Sequence, residues 1–162
     1  MSAPTVIIHE RVSRWATLLR PRFADADIRW SESRTAATLT HFVRREICPI
    51  LLIPLDRDPI GGLRDLDAAL ASCPHALSLV LDPRDRGEVL DAAREIGATL
   101  CLGGTVVPPE VERIVHRWLP IAKLREEAEG WSAATEPTPE VWDDPERLFF
   151  PLGSLSSDIE PD

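Results

Sequence analysis

Five short apolar runs, each followed by a longer segment with helical spacing, constrain this chain of 162 residues more than any other feature. The runs are TVIIHE (5–10), DIRWSE (27–32), CPILLIPL (48–55), ALSLVLD (76–82) and TLCLGGTV (99–106). The third is almost continuously apolar, as a strand covered on both faces is. The intervening segments repeat apolar residues three and four apart. RVSRWATLLRPRF (11–23) aligns Val12, Trp15, Leu18 and Leu19 on one face, and SRTAATLTHFVRRE (33–46) aligns Leu39, Phe42 and Val43 behind Ser33 as N-cap. GGLRDLDAALASC (61–73) carries Leu63, Leu66, Ala69 and Leu70, and DRGEVLDAAREIGA (85–98) closes on Gly97, a residue suited to the end of a helix. The last helix, 108–130, opens on Pro108-Pro109, which the first turn accepts. Its apolar face is Val111, Ile114, Val115, Trp118 and Leu119, and Pro120 is expected to kink or split it.

Parallel strands need crossover connections, and helices provide them. The pattern therefore predicts an α/β fold: a three-layer, doubly wound (βα)5 sandwich with a parallel five-stranded sheet in the order 2-1-3-4-5. The domain spans 1–130. In such sheets chemistry gathers at the carboxyl ends of the strands, here His9-Glu10, Pro54 to Asp58, Asp82-Pro83 and Gly103-Gly104-Thr105. A proline removes a ladder donor, so pairing of the third strand is expected to end at or before Ile53.

Residues 131–162 differ in character. They hold eight acids, one base (Arg147) and five prolines, so they carry −7 of the formal −9, and the body only −2. This acidic C-terminal tail has the composition of a segment without a core of its own, yet Trp142, Phe149 and Phe150 cluster in it. The charge argues against nucleic acid as a partner. No run approaches the ~20 apolar residues of a membrane span, and the N-terminus lacks the pattern of a signal peptide. Cys48, Cys73 and Cys101 are odd in number and widely spaced, which speaks against disulfides or a zinc site. A cytoplasmic protein without a bound cofactor is expected.

The chain over residues 4–125 resembles the receiver domain of two-component response regulators. PLDRDPIGGL (54–63) aligns with the receiver stretch that starts at the phosphoacceptor aspartate and ends Asp-Gly-Leu; Gly62 and Leu63 keep that ending and Gly61 replaces the acid. GATLCLGGTVVPPEV (97–111) aligns with the stretch running from Gly-Ala through strand five to the lysine that precedes a proline. The resemblance implies a flavodoxin-like signalling domain, and it also implies that the phosphotransfer set is dismantled. The phosphoacceptor position is Pro54 and the lysine position is Gly104, followed by Thr105. The acid pair falls on His9 and Glu10, the hydroxyl position on Asp82, and the aromatic switch on Cys101.

Other features have ordinary readings. Asp56 and Asp58 suit a turn before Pro59. Glu10, Asp56 and Asp82 are weak candidates for a divalent cation, which needs several oxygen ligands; a solvated acidic rim is the simpler reading, and no metal is assigned. Gly103-Gly104-Thr105 suits a tight turn. His9 sits where it would meet Asp82. Trp15, Trp30 and Trp118 suit core anchors.

The resulting expectation is a degenerate pseudo-receiver, not an enzyme, that works without phosphorylation by binding a protein partner in a signalling assembly. Receivers often pair through helix 4, strand 5 and helix 5, which implies a possible homodimer through that face. The expected contact residues are Arg94, Arg113, Arg117 and Trp118, with Trp142, Phe149 and Phe150 of the tail, whose aromatics suit equally well folding back onto an apolar groove of their own domain. The alternative is a small α/β ligand- or metal-binding domain, possibly an enzyme, that uses the strand-end cleft with Glu10, Asp56 and Asp82. A working receiver with Asp56 as relocated phosphoacceptor ranks last.

Overall fold

The computed structural model describes residues 3–135. The elements are β1 (Thr5–His9), α1 (Trp15–Leu19), a 3-10 turn over Arg20–Phe23, β2 (Arg29–Ser33), α2 (Ala36–Val43), β3 (Ile50–Pro54), α3 (Pro59–Ser72), β4 (Leu77–Asp82), α4 (Gly87–Ile96), β5 (Leu100–Gly103) and α5 (Pro108–Thr135). All four strand pairings are parallel and the order is β2-β1-β3-β4-β5, as the alternation of runs predicts.

Successive side chains of a strand point to opposite faces, and both faces of this sheet are covered. Val6, Ile8, Ile50, Leu52, Leu79 and Leu81 pack against Trp15 and Leu19 of α1 and Val111 and Val115 of α5. Ile7, Leu51, Ile53 and Val80 pack against Leu39 and Val43 of α2, Leu66 and Ala69 of α3, and Ala93 of α4. That double burial is why the β3 and β4 runs are continuous in apolar residues, while the edge strands β2 and β5 are largely half-buried or exposed. Cys48 and Cys73 are buried as small apolar groups; burial pushes both thiols up, and each Sγ donates to a backbone carbonyl.

Several boundaries differ from the sequence expectation, each for a local reason. Helix α1 starts at Trp15, not at Arg11, because the Glu10 carboxylate accepts the N–H groups of Arg14, Trp15 and Ala16 at 3.0, 3.0 and 2.7 Å. Ser33 is not the cap of α2. It ends β2, fully inside, and Thr35 caps the helix by accepting the Thr38 N–H at 3.2 Å. Helix α3 begins two residues earlier than Gly61, at Pro59, because Asp58 accepts the Gly61 N–H at 2.9 Å. Gly97 closes α4 with φ +110°, as expected. Helix α5 is not split at Pro120 and continues past residue 130 to Thr135.

Pairing of β3 also does not stop at Ile53, since Pro54 stands opposite Leu81. The next residue, Leu55, donates its N–H to the Leu81 carbonyl at 2.8 Å. Alternate residues of an inner strand address opposite neighbours, so the Pro54 nitrogen faces β1. The β1–β3 ladder has already ended at Ile8–Leu52. The proline therefore removes a donor that has no ladder partner.

Candidate functional site

The carboxyl ends of β1 and β3, the start of α3 and the loop after β4 enclose a cavity of about 360 Å³. Its lining is His9, Glu10, Arg11, Val12, Arg14, Pro54, Asp56, Arg57, Asp58, Gly62, Asp65, Pro83 and Arg84. Gly61 and Gly62 permit this close assembly. A Cβ on Gly61 would run into the Asp58 carboxylate, and one on Gly62 into the Leu55 side chain.

The three candidate cation ligands are separated in use. Glu10 is spent on the N-terminus of α1. Asp56 pairs with Arg14 at 3.2 Å. Asp82 is fully buried and turned into the β4–α4 connection. It accepts the backbone N–H groups of Arg84 (3.3 Å) and Arg86 (2.8 Å) and pairs with the Arg86 guanidinium at 2.6 Å. Burial would push its carboxyl up, but Arg86 and the two N–H donors outweigh that and hold it below the usual aspartate range. Arg86 also donates to the Leu55 carbonyl at 2.6 Å, which ties the β4–α4 loop to the end of β3. No cluster of three or more His, Cys, Asp or Glu side chains placed to hold a metal ion occurs among the described residues.

His9 does not meet Asp82. Its Nε2 pairs with Asp65 of α3 at 2.8 Å and its Nδ1 contacts Ser33 Oγ at 3.0 Å. The Ser33 hydroxyl donates to the Thr35 carbonyl at 3.1 Å and is 1% exposed, so this chain of side chains binds β1, β2 and α3 together and presents no nucleophile.

Gly104 adopts φ +76°, a left-handed conformation that disfavours a side chain, while its N–H donates to the Asp82 carbonyl at 3.0 Å. A lysine at this position would be strained by the backbone as well as new in chemistry. The chain has a single lysine, Lys123, on α5, and it does not line the cavity.

The expected contact residues fall into different environments. Arg94 is exposed on α4 and pairs with Asp91 at 2.6 Å. Arg113 and Arg117 are exposed on α5 and, with Pro109, Glu112 and His116, line a shallow groove. Trp118 is half-buried and packs with Ile114 and Leu119 against the core layer under α5. Leu100 and Val107 leave exposed apolar surface on β5 and the loop after it. Trp142, Phe149 and Phe150 lie outside the described residues.

Reasoning from sequence missed Arg86, Asp65 and the arginines of the rim. Asp82 and Arg86 are four apart but span a strand end and a loop, where the helical pairing rule does not apply. Asp65 reaches His9 across 56 positions of sequence, which no local pattern reveals.

Sheet order, helix placement and a strand-end cavity together define a receiver-like α/β domain. No family model matches the chain, and no curated protein matches it in sequence. Solved structures match in fold. The CheY-like response regulator receiver domain protein of Methanospirillum hungatei JF-1 superposes with a TM-score of 0.65 at 13% identity, covering 75% of this chain and 98% of that one. A response regulator of Thermotoga maritima gives 0.63 at 12% identity, covering 73% and 98%. The pilus assembly protein CpaE of Caulobacter crescentus CB15 gives 0.53 at 15% identity, covering 70% and 97%. At these identities the likeness is one of fold, and the last match illustrates that one fold hosts different tasks. Among the described residues no helix is long and apolar enough to cross a membrane.

Proposed function

We infer that this chain is a receiver-like regulatory domain that signals without phosphorylation, through contact with a protein partner. The observation that carries this reading is Pro54, at the end of β3 and on the wall of the strand-end cavity, where the resemblance to receivers places a nucleophilic aspartate. The left-handed backbone at Gly104 and the distribution of the acids support it: Glu10 caps a helix and Asp82 pairs with Arg86, so neither carboxylate is free for a cation. On this reading the chain is not an enzyme, needs no cofactor and works in the cytoplasm. The contact face is α4, β5 and α5, with Arg94, Arg113, Arg117, exposed Leu100 and Val107, and the tail aromatics Trp142, Phe149 and Phe150; a homodimer through the same face belongs to this proposal.

Incubation with acetyl phosphate and Mg²⁺, followed by intact mass measurement, tests it. The mass should stay unchanged, for the wild type and for Pro54→Asp alike. A gain of one phosphoryl group in the wild type, lost in Asp56→Asn, would overturn the reading in favour of a relocated phosphoacceptor.

A further inference from the structure

Helix α5 carries its charges unevenly. Toward its end stand Glu126, Glu127 and Glu129. Nearer its start, Arg113 and Arg117 lie one turn apart, both exposed, and line the shallow groove with Pro109, Glu112 and His116. Among the described residues neither guanidinium makes an ion pair or a side-chain hydrogen bond, whereas the acid of the groove, Glu112, pairs with Arg22 at 2.8 Å. His116 rests on Phe23, ring centroids 5.4 Å apart, and gives the groove an aromatic edge. The groove is therefore cationic, while residues 131–162 of the same chain carry −7.

We propose that the segment VWDDPERLFF (141–150) docks along this groove of its own domain, with Asp143, Asp144 and Glu146 on Arg113 and Arg117. The lengths match. From Thr135 back to Arg117 and Arg113 the helix rises about 27 and 33 Å, at ~1.5 Å per residue. A chain leaving Thr135 spans at most about 26 Å to Asp143 and about 36 Å to Glu146, at ~3.3 Å per residue. Pro137 and Pro139, just past Thr135, disfavour further helix and favour extended chain. Turning back along α5, the segment passes the three glutamates and brings its acids level with the two arginines. Trp142 then suits the face of the Arg117 guanidinium, and Phe149 and Phe150 come level with exposed Val107. Exposed ion pairs are individually weak, so the contact is readily displaced. The inference deepens the proposed function and rests on it only in its consequence: a docked tail covers Arg113 and Arg117 until a protein partner displaces it.

Hydrogen exchange of the full chain, read by mass spectrometry, provides the test. At low salt the amides from Val141 to Phe150 should exchange about three- to tenfold more slowly than random coil, the scale of a marginal contact. High salt should abolish that protection, because it screens exposed charges. Arg113→Glu/Arg117→Glu should abolish it, and so should Asp143→Arg/Asp144→Arg, while the two double variants combined should regain it. Arg64→Glu, on α3 and across the sheet, should behave as the wild type does. Thermal unfolding of Arg113→Glu/Arg117→Glu should match the wild type, so lost protection reads as lost docking; the salt dependence of the wild type tests the contact without any substitution. Random-coil exchange at low salt, protection indifferent to salt or to Arg113→Glu/Arg117→Glu, or protection that grows with protein concentration, as contact between two copies requires, would each overturn the proposal. A free tail leaves the functional reading intact, and phosphorylation by acetyl phosphate would overturn that reading while leaving docking measurable.

Discussion

Asp82 and Arg86 show how one buried charge dictates what its surroundings must provide. The end of β4 carries a fully buried carboxylate that needs a cation to be tolerated. Arg86, four residues on, provides it and also reaches the Leu55 carbonyl, so the pair clamps two strand ends. A carboxyl held below its unfolded value of about 3.9 stabilises the fold above that pH, and the stabilisation is lost as pH falls through the folded value. Urea unfolding should therefore find wild type well above Asp82→Asn at pH 6, with the gap closing below pH 4. At pH 6, Arg86→Ala should lose about 3 kcal/mol, since it leaves a buried charge without its partner. A constant gap between wild type and Asp82→Asn down to pH 3 would show that the pairing does not hold the carboxyl down.

Among the elements, the two prolines at Pro54 and Pro120 have opposite energetics. Pro54 lacks a donor where the β1–β3 ladder has ended, so β3 loses no bond and the cavity gains a rigid apolar wall. Pro120 lies inside α5, where the helix loses a hydrogen bond to His116 and the ring crowds the preceding turn. The helix nevertheless continues, because Val111 and Val115 before it and Ala122 after it are all buried against the sheet layer. Tertiary burial outweighs a local preference worth up to ~3 kcal/mol. Pro120 itself is exposed, so Pro120→Ala should raise the stability of the domain by about 1–3 kcal/mol, within that propensity difference, measured as a higher urea midpoint at unchanged slope. A lower midpoint would mean that the proline ring itself is needed for packing.

For the whole molecule, the charge divides more sharply than the chain does. Residues 131–162 hold −7 while the rest holds −2. All five strand–helix units and both core layers lie within the described residues. A fragment ending at Thr135 should therefore unfold in a single cooperative transition, within about 1 kcal/mol of the full chain, the scale at which changes remote from a core usually act. Calorimetry of the two forms checks this. A broad, non-cooperative transition in the fragment would place a structural duty on the acidic segment.

The periodicity of apolar residues by itself determined the element order and the parallel sheet; the strand order came from the common arrangement of doubly wound folds. Burying β3 and β4 on both faces demands continuous runs, and a five-unit alternation with crossover helices has few other solutions. Local chemistry also made Gly97 legible as a helix end. What only the tertiary structure decided was which polar groups meet. Glu10 capping α1 instead of holding a cation, Ser33 joining His9 instead of capping α2, and Asp65 reaching His9 all depend on contacts between segments distant in sequence or on how turns aim side chains. A carboxylate at a strand end is the same letter whether it binds metal, a helix terminus or arginine. Its role follows from the donors that folding brings within about 3 Å of it, and sequence spacing does not encode them.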